Sequence, residues 1–227
     1  MKLANRLIPV LNSKARDINA GLVAYYKFNG NGNDEINALN ASLFNVTYAP
    51  SQSGQAVKFS GANNCYGSIS HSQLFDFNDF SISLWIKPSV SDLGTGIKGL
   101  VDKAPTTTAT VVRPFWVALS NGKISFSMGN GSINEILLSN LDIVADVWVN
   151  VNCVASGSTA AIYINGSLDN TKSLAISRVT NTNEINLGRL TSASTSDRYY
   201  GGEIDNLRMY NRALQVNEIT SIYNNKL

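Results

Sequence analysis

The segment Phe80–Lys87 alternates without a break. Phe80, Ile82, Leu84 and Ile86 fall on one side, and Ser81, Ser83, Trp85 and Lys87 on the other. Successive side chains of a β-strand point to opposite faces, so this run reads as a strand with one apolar face. Pro88, with no N–H for a ladder, ends it. Such a strand needs neighbours to pair with and a second apolar layer to cover it.

The remaining chain offers both at short intervals. Leu22–Phe28, Ala56–Gly61, Phe115–Leu119, Lys123–Met128, Val147–Ala155, Thr159–Ile164, a run from Ser167, Glu184–Gly188 and Glu203–Tyr210 are the other predicted strands. Asn121-Gly122 and Asn165-Gly166 separate two strand pairs, and Asn-Gly is a favoured hairpin turn. The dense turn cluster Asn29–Asp34 stops the first strand. Ile219, Ile222 and Tyr223 are spaced as one face of a helix, with Gln215 near its N-cap and Glu218 at the third position of a capping box. Gln caps poorly, because its longer side chain does not fold back as Ser does. No fixed-period repeat is present, which disfavours propellers and solenoids. The chain reads as all-β, a two-sheet antiparallel sandwich or barrel with one short C-terminal helix.

Composition narrows the function classes. The 227 residues are 44% hydrophobic, enough for a sizeable core. Eighteen Lys and Arg stand against 16 Asp and Glu, a net charge of +2 with no basic run. Nucleic-acid binding through phosphate neutralisation and a polybasic membrane patch are both disfavoured. No stretch approaches the roughly 20 apolar residues of a membrane span. The missing charge is replaced by neutral polar residues, 28 of them Asn, as suits a turn-rich β protein. Cys65 and Cys153 read as two buried free thiols, a single disulfide being the alternative. With no CxxC and His71 as the one histidine, a Cys/His zinc site and a histidine-based triad are excluded.

Residues 1–20 form an N-terminal arm ahead of a domain at 21–227. Lys2, Arg6, Lys14 and Arg16 make it basic, and Leu3, Leu7, Ile8, Val10 and Leu11 make it sticky. It reads either as a disordered leader or as an anchor that orders against a protein partner. The run Leu7–Leu11 is shorter than the roughly 7–15 residues of a secretory core, so no standard signal peptide is visible.

Several segments together resemble the LamG-like jelly roll of the concanavalin A-like lectin/glucanase superfamily, the group of laminin G and pentraxin modules. They are Leu22–Gly30 with Asn33-Asp34, Ala56–Gly61, Phe80–Pro88, Ile162–Gly166, Ile185–Arg189, and Gly202–Leu214 followed by Glu218-Ile219. The resemblance implies two antiparallel sheets packed face to face, with the first and last strands side by side. It also implies a structural calcium at Asp34, Asn37 and Asp205, since calcium takes oxygen ligands from carboxylates and loop carbonyls. Asn206 stands where members of the family often carry a second Asp. The plainer reading is that Asp34 caps a turn and Asp205 pairs with an Arg.

Two further constellations bear on function. Glu203-Ile204-Asp205 is similar to the catalytic strand of family 16 glycosidases, but the third carboxylate is missing, since Asn206, Leu207 and Arg208 follow. Exposed aromatics near amide-rich turns suit glycan stacking, and Tyr199, Tyr200, Tyr66 and Trp85 are the candidates, against simple packing beneath loops. The expected function is therefore a non-catalytic recognition or adhesion module that binds carbohydrate. The arm would carry it on a larger assembly such as a phage virion, as a decoration, fibre or tail protein, or it would be displayed on a cell surface. The alternatives are a glycoside hydrolase of the same superfold and a purely structural virion or surface protein.

Overall fold

In a computed structural model, the described residues are 17–104, 112–191 and 198–225. Most of the expected arm, residues 1–16, lies outside them. Five strands come first: β1 (Leu22–Tyr26), β2 (Ala41–Phe44), β3 (Thr47–Pro50), β4 (Gln55–Lys58) and β5 (Tyr66–Ile69). Then come β6 (Phe80–Lys87), β7 (Ile97–Lys103), β8 (Val112–Ser120), β9 (Lys123–Asn130) and β10 (Asn134–Leu138). The last are β11 (Val149–Ser156), β12 (Thr159–Ile164), β13 (Ser167–Ser173), β14 (Ile185–Leu187) and β15 (Glu203–Tyr210), followed by helix α1 (Val216–Asn225).

The first sheet has eight strands in the order β13-β12-β11-β6-β15-β4-β3, with β1 also paired to β15. The second has seven, in the order β10-β9-β8-β7-β14-β5-β2. The pairings are antiparallel. The jelly-roll sandwich is as the sequence pattern predicts, and first and last strands do lie side by side, Leu22 opposite Tyr210. The Asn-Gly turns hold two left-handed residues each, Asn121 and Gly122 at φ 49° and 79°, and Asn165 and Gly166 at 50° and 80°. That matches the twist of the flanking strands.

The core between the sheets is apolar and aromatic. Phe80 packs against Phe77, Phe115 and Phe126 with ring centroids 5.4–5.9 Å apart. Cys65 and Cys153 are both buried and free. Burial pushes the Cys153 thiol far above its ordinary range, as expected of an inert core thiol.

The first sheet departs from the one-faced expectation. Ser81, Ser83 and Trp85 point away from the core, yet all are buried. Helix α1 and the chain before it form a roof. Ile219 and Ile222 pack with Leu22, Val154, Tyr210 and Leu214, and Ile18 joins them. Tyr223 stacks on Trp85 at 5.8 Å. Half of the capping box is present: the Glu218 carboxylate accepts the Gln215 N–H at 2.7 Å, and Arg212 holds that carboxylate with two bonds of 2.7 and 2.8 Å. Ile18, within the expected arm, packs on this roof.

Two glycines separate backbone strain from packing. Gly188 has φ +72° and a Cβ there would sit 2.5 Å from the Phe59 ring, whereas Gly157, at φ +50°, has open space around it. Gly157→Ala should cost about 1–2 kcal/mol for the left-handed backbone alone, and Gly188→Ala about 2–4 kcal/mol because overpacking is added. Urea denaturation of the two variants measures the difference.

Candidate functional site

The outer face of the second sheet carries the candidate site. Val101, Phe115, Val117, Phe126, Ile185 and Leu187 turn into the core. Strand alternation therefore sends Asp102, Trp116, Ser127 and Asn186 the other way. Register brings these four into one transverse row: Ser127 lies opposite Trp116, Trp116 opposite Asp102, and Asp102 opposite Asn186. Ser68 of β5 continues the row beyond Asn186.

The row is buried, Asp102, Ser127 and Asn186 fully and Trp116 almost so, and its polar groups are only half used. Asp102 Oδ2 accepts the Thr191 N–H at 2.8 Å and its hydroxyl at 2.6 Å. Asn186 Oδ1 accepts Arg189 Nε at 2.7 Å. The Arg113 guanidinium lies 4.0 Å from the Trp116 ring centroid. Among the described residues, Asp102 Oδ1, Asn186 Nδ2, Trp116 Nε1, Arg113 Nε and Ser127 Oγ are buried with no hydrogen-bond partner. Burial raises the Asp102 carboxyl, although Thr191, Arg113 and Arg189 oppose the shift, and burial lowers Arg113. Buried polar groups in native proteins find partners, so atoms clustered like this are satisfied by water or by a ligand.

Four aromatics were expected to meet a sugar, and the structure separates them. Tyr66 and Tyr199 lie at the margin of the row, joined through Arg189. Its guanidinium sits 3.4 Å over the Tyr66 ring, and its backbone bridges that of Tyr199. Tyr66 is also packed against Phe44 at 4.8 Å, so Arg189 and Phe44 already occupy its ring. Tyr200 is a core residue, fully buried, with its hydroxyl donating to Glu203 O at 3.1 Å. Trp85 belongs to the first sheet, beneath Tyr223. Neither Tyr200 nor Trp85 can stack on a ligand, because core and helix cover them. Asp102, Arg113 and Asn186 escaped the sequence reading, and Trp116 is buried, as the plainer reading of packing beneath loops has it. The available signal was a polar residue interrupting an apolar run, Asp102 after Leu100-Val101 and Asn186 between Ile185 and Leu187.

The expected calcium ligands do not fit a cation. Asp34 Oδ1 accepts the N–H groups of Tyr25 and Ile36 at 2.8 and 3.1 Å, and Oδ2 those of Asn37 and Leu39 at 2.9 and 3.1 Å. A carboxylate has about four acceptor positions, and all are filled. Asn37 donates its amide to Val23 O at 2.8 Å. Asp34 is a turn cap that ties the loop to β1. Asp205 is buried beside Trp85, Trp148, Gln52 and Asn206 instead. Glu203 is held by Lys58 and Lys87 at 3.5 and 3.6 Å, and it does not line the recess that Asp205 faces.

Fold and site together define a two-sheet jelly-roll sandwich with a row of buried polar groups on the outer side of its second sheet. The family model described as "Concanavalin A-like lectin/glucanases superfamily", of the laminin G type, matches residues 60–220. The chain belongs to this superfamily. No curated protein matches the sequence. Among solved structures, the chain is similar to the binding domain of Paraclostridial Mosquitocidal Protein 1, at TM-score 0.77 and 16% identity over 92% of this chain and 53% of that one. It is similar to domain 4 of AbnA, a GH43 extracellular arabinanase of Geobacillus stearothermophilus solved with arabinotriose. There the TM-score is 0.70 and the identity 20%, over 89% of this chain and 98% of that one. The botulinum neurotoxin serotype G binding domain gives TM-score 0.72 and 14% identity over 90% and 51%. The chain thus spans about half the length of the two toxin domains.

Two measurements check these assignments. Asp34→Ala should destabilise the fold by about 3 kcal/mol, since it strands four N–H groups, while added calcium or chelator leaves the melting temperature of the natural protein unchanged. Burial raises the Asp205 carboxyl from 3.8 to about 6, against hydrogen bonds from Ser51 and Asn206. The native state then holds the proton more tightly than the unfolded chain, so stability falls as pH rises from about 4 to about 6. Asp205→Asn should remove that fall, up to about 3 kcal/mol, in urea titrations on either side of the window.

Proposed function

We propose that the protein is a non-catalytic carbohydrate-recognition module whose ligand lies along the row Ser127–Trp116–Asp102–Asn186. The observation that carries this reading is the set of four unpartnered polar atoms in one row, with a fifth, Arg113 Nε, beside it. One is a carboxylate acceptor, three are N–H donors, and the Ser127 hydroxyl does both. A sugar hydroxyl both donates and accepts, and neighbouring hydroxyls present the same mixture. Asp102 suits a hydroxyl donor, and Asn186, Arg113 and the N–H of the buried Trp116 indole suit acceptors. The likeness to an arabinanase domain solved with arabinotriose supports the same reading.

Hydrolysis is a poorer fit. A glycosidase needs two carboxyl groups flanking one bond, roughly 5–9.5 Å apart. Asp102 is the one carboxylate of the row, and Glu203 and Asp205 belong to the other sheet. Display on a larger assembly is part of the proposal. Ile18 packs on the helix-covered face of the first sheet, so the chain enters opposite the row. An anchor formed by residues preceding it would leave the outer face of the second sheet, beneath which the buried row lies, directed away from the assembly.

A glycan array probed with the natural protein, Trp116→Ala and Asp102→Asn tests the reading. The natural protein should show a restricted set of signals, and each variant should weaken them at least about tenfold, the loss expected when one buried hydrogen bond to a charged group is removed. Signals unchanged in both variants, or release of reducing sugar from a bound glycan, would contradict it.

A further inference from the structure

A separate groove lies on the outer face of the first sheet, at the edge of the helix roof. The roof rests on Tyr210, Val154 and Trp85, and beyond Val154 the sheet continues through β12 and β13. Ala160 and Ile162 turn into the core, so alternation sends Thr159, Ala161 and Tyr163 to the outer face. Register then sets Ala161 between Val154 and Thr171, and Tyr163 opposite Leu168 in the next row. The central Ala161 is small, and so is Ala213 on the segment that leads into α1. Two short side chains facing one another leave a hollow of about 280 Å³ between the sheet and the edge of the roof. Gln215 and Val216 complete the far wall. Asp17 and Asn225, where the described chain begins and ends, do not line it.

No charged side chain lines this groove. Asp79 stands outside it, accepting the Ser156 hydroxyl at 3.3 Å and the Gly157 N–H at 2.8 Å. Part of the lining is apolar and open, with Leu168 and Val216 each 56% exposed. The polar part is neutral. Among the described residues, the hydroxyls of Tyr163 and Thr159 and the amide of Gln215 have no hydrogen-bond partner, and each can both donate and accept. The Thr171 hydroxyl donates to Ala160 O at 3.0 Å and keeps its lone pairs free. An uncharged ligand with several hydroxyls and one methyl group matches this division, and the volume suits one sugar ring. We propose that this groove is a second binding site, independent of the Trp116 row, for a single 6-deoxyhexose residue. Leu168, Val216 and Ala161 take the methyl group, and Tyr163, Thr159 and Gln215 take the ring hydroxyls. A uronate would bring a charge with no cation to meet it. An ordinary hexose would press a hydroxymethyl group against the apolar wall, and a purely apolar side chain would leave the three polar groups unused.

An NMR titration of the full chain tests the site, with L-fucose and L-rhamnose set against their 6-hydroxylated parents, L-galactose and L-mannose. At least one 6-deoxy sugar should give saturable amide shifts at residues 159–171 and 213–216. It should bind about tenfold tighter than its parent, the scale of one small group in an apolar pocket. D-Glucuronate and N-acetyl-leucinamide should give no saturable shift. Leu168→Asn should narrow the preference over the parent sugar to about two- or threefold. Thr159→Trp, which fills the groove from an exposed position, should abolish binding with the melting temperature unchanged. Trp116→Ala on the other sheet should leave binding intact, so failure of the row and failure of the groove are read separately. No saturable shift with either 6-deoxy sugar up to about 50 mM overturns the proposal, because such a site would be weaker than any useful affinity. Equal affinity for the parent sugars, saturable binding of N-acetyl-leucinamide, or binding that survives Thr159→Trp overturns it as well.

Discussion

Strand β15 is buried along its whole length and on both faces, and the remaining architecture follows from that constraint. Ile204, Leu207 and Met209 fill the core between the sheets. Glu203, Asp205, Arg208 and Tyr210 face the opposite way and still need cover. Its edges are taken by β6 on one side and by β4 and β1 in succession on the other. The outward face is closed by the chain's own end: α1, Arg212 and Ile18 are drawn over it. The first sheet is thereby roofed over β6 and β15, and the outer face of β12 and β13 is left with a groove beside the roof.

The second sheet solves the same problem differently. Its outer face carries a short apolar cluster of Trp116, Ala118 and Leu190, and a row of polar groups beside it. Each of those groups sits in a strand whose other face is core, so none can retreat inward. Burying a carboxylate and a guanidinium is unfavourable unless both are paired and hydrogen-bonded. Asp102 and Arg113 are near enough to shift each other's ionisation, and Thr191 holds half of the carboxylate. Donors and acceptors left over after that arrangement are the chemical content of the site.

How much of this was legible in the sequence depended on range. Phe80–Lys87 was readable to the residue, because a strand's alternation is local. The Asn-Gly hairpins were readable for the same reason, and β1 beside β15 followed from the family pattern. Short strands such as β2, β3 and β10 were not, since four or five residues carry little periodicity. The candidate site was the least legible part. Its members at 102, 116, 127 and 186 meet only through pairing register, which alternation within one strand does not encode. Tyr199 and Tyr200 look alike in sequence, yet strand parity puts one at the margin of the row and the other in the core. Trp85 was on the expected side of β6, and the distant Tyr223 decided its fate. Asp34 matched a calcium position, but four backbone N–H groups had already claimed it.

The central claim is that ligand binding runs along the row through Trp116 and not through the other tryptophans. The indole N–H signals of Trp85, Trp116 and Trp148 in an NMR titration test it directly, with arabinotriose and the strongest array glycan as ligands. The account predicts a saturable shift of the Trp116 signal with the Trp85 signal unmoved. Movement of the Trp85 or Trp148 signal with Trp116 silent would contradict it.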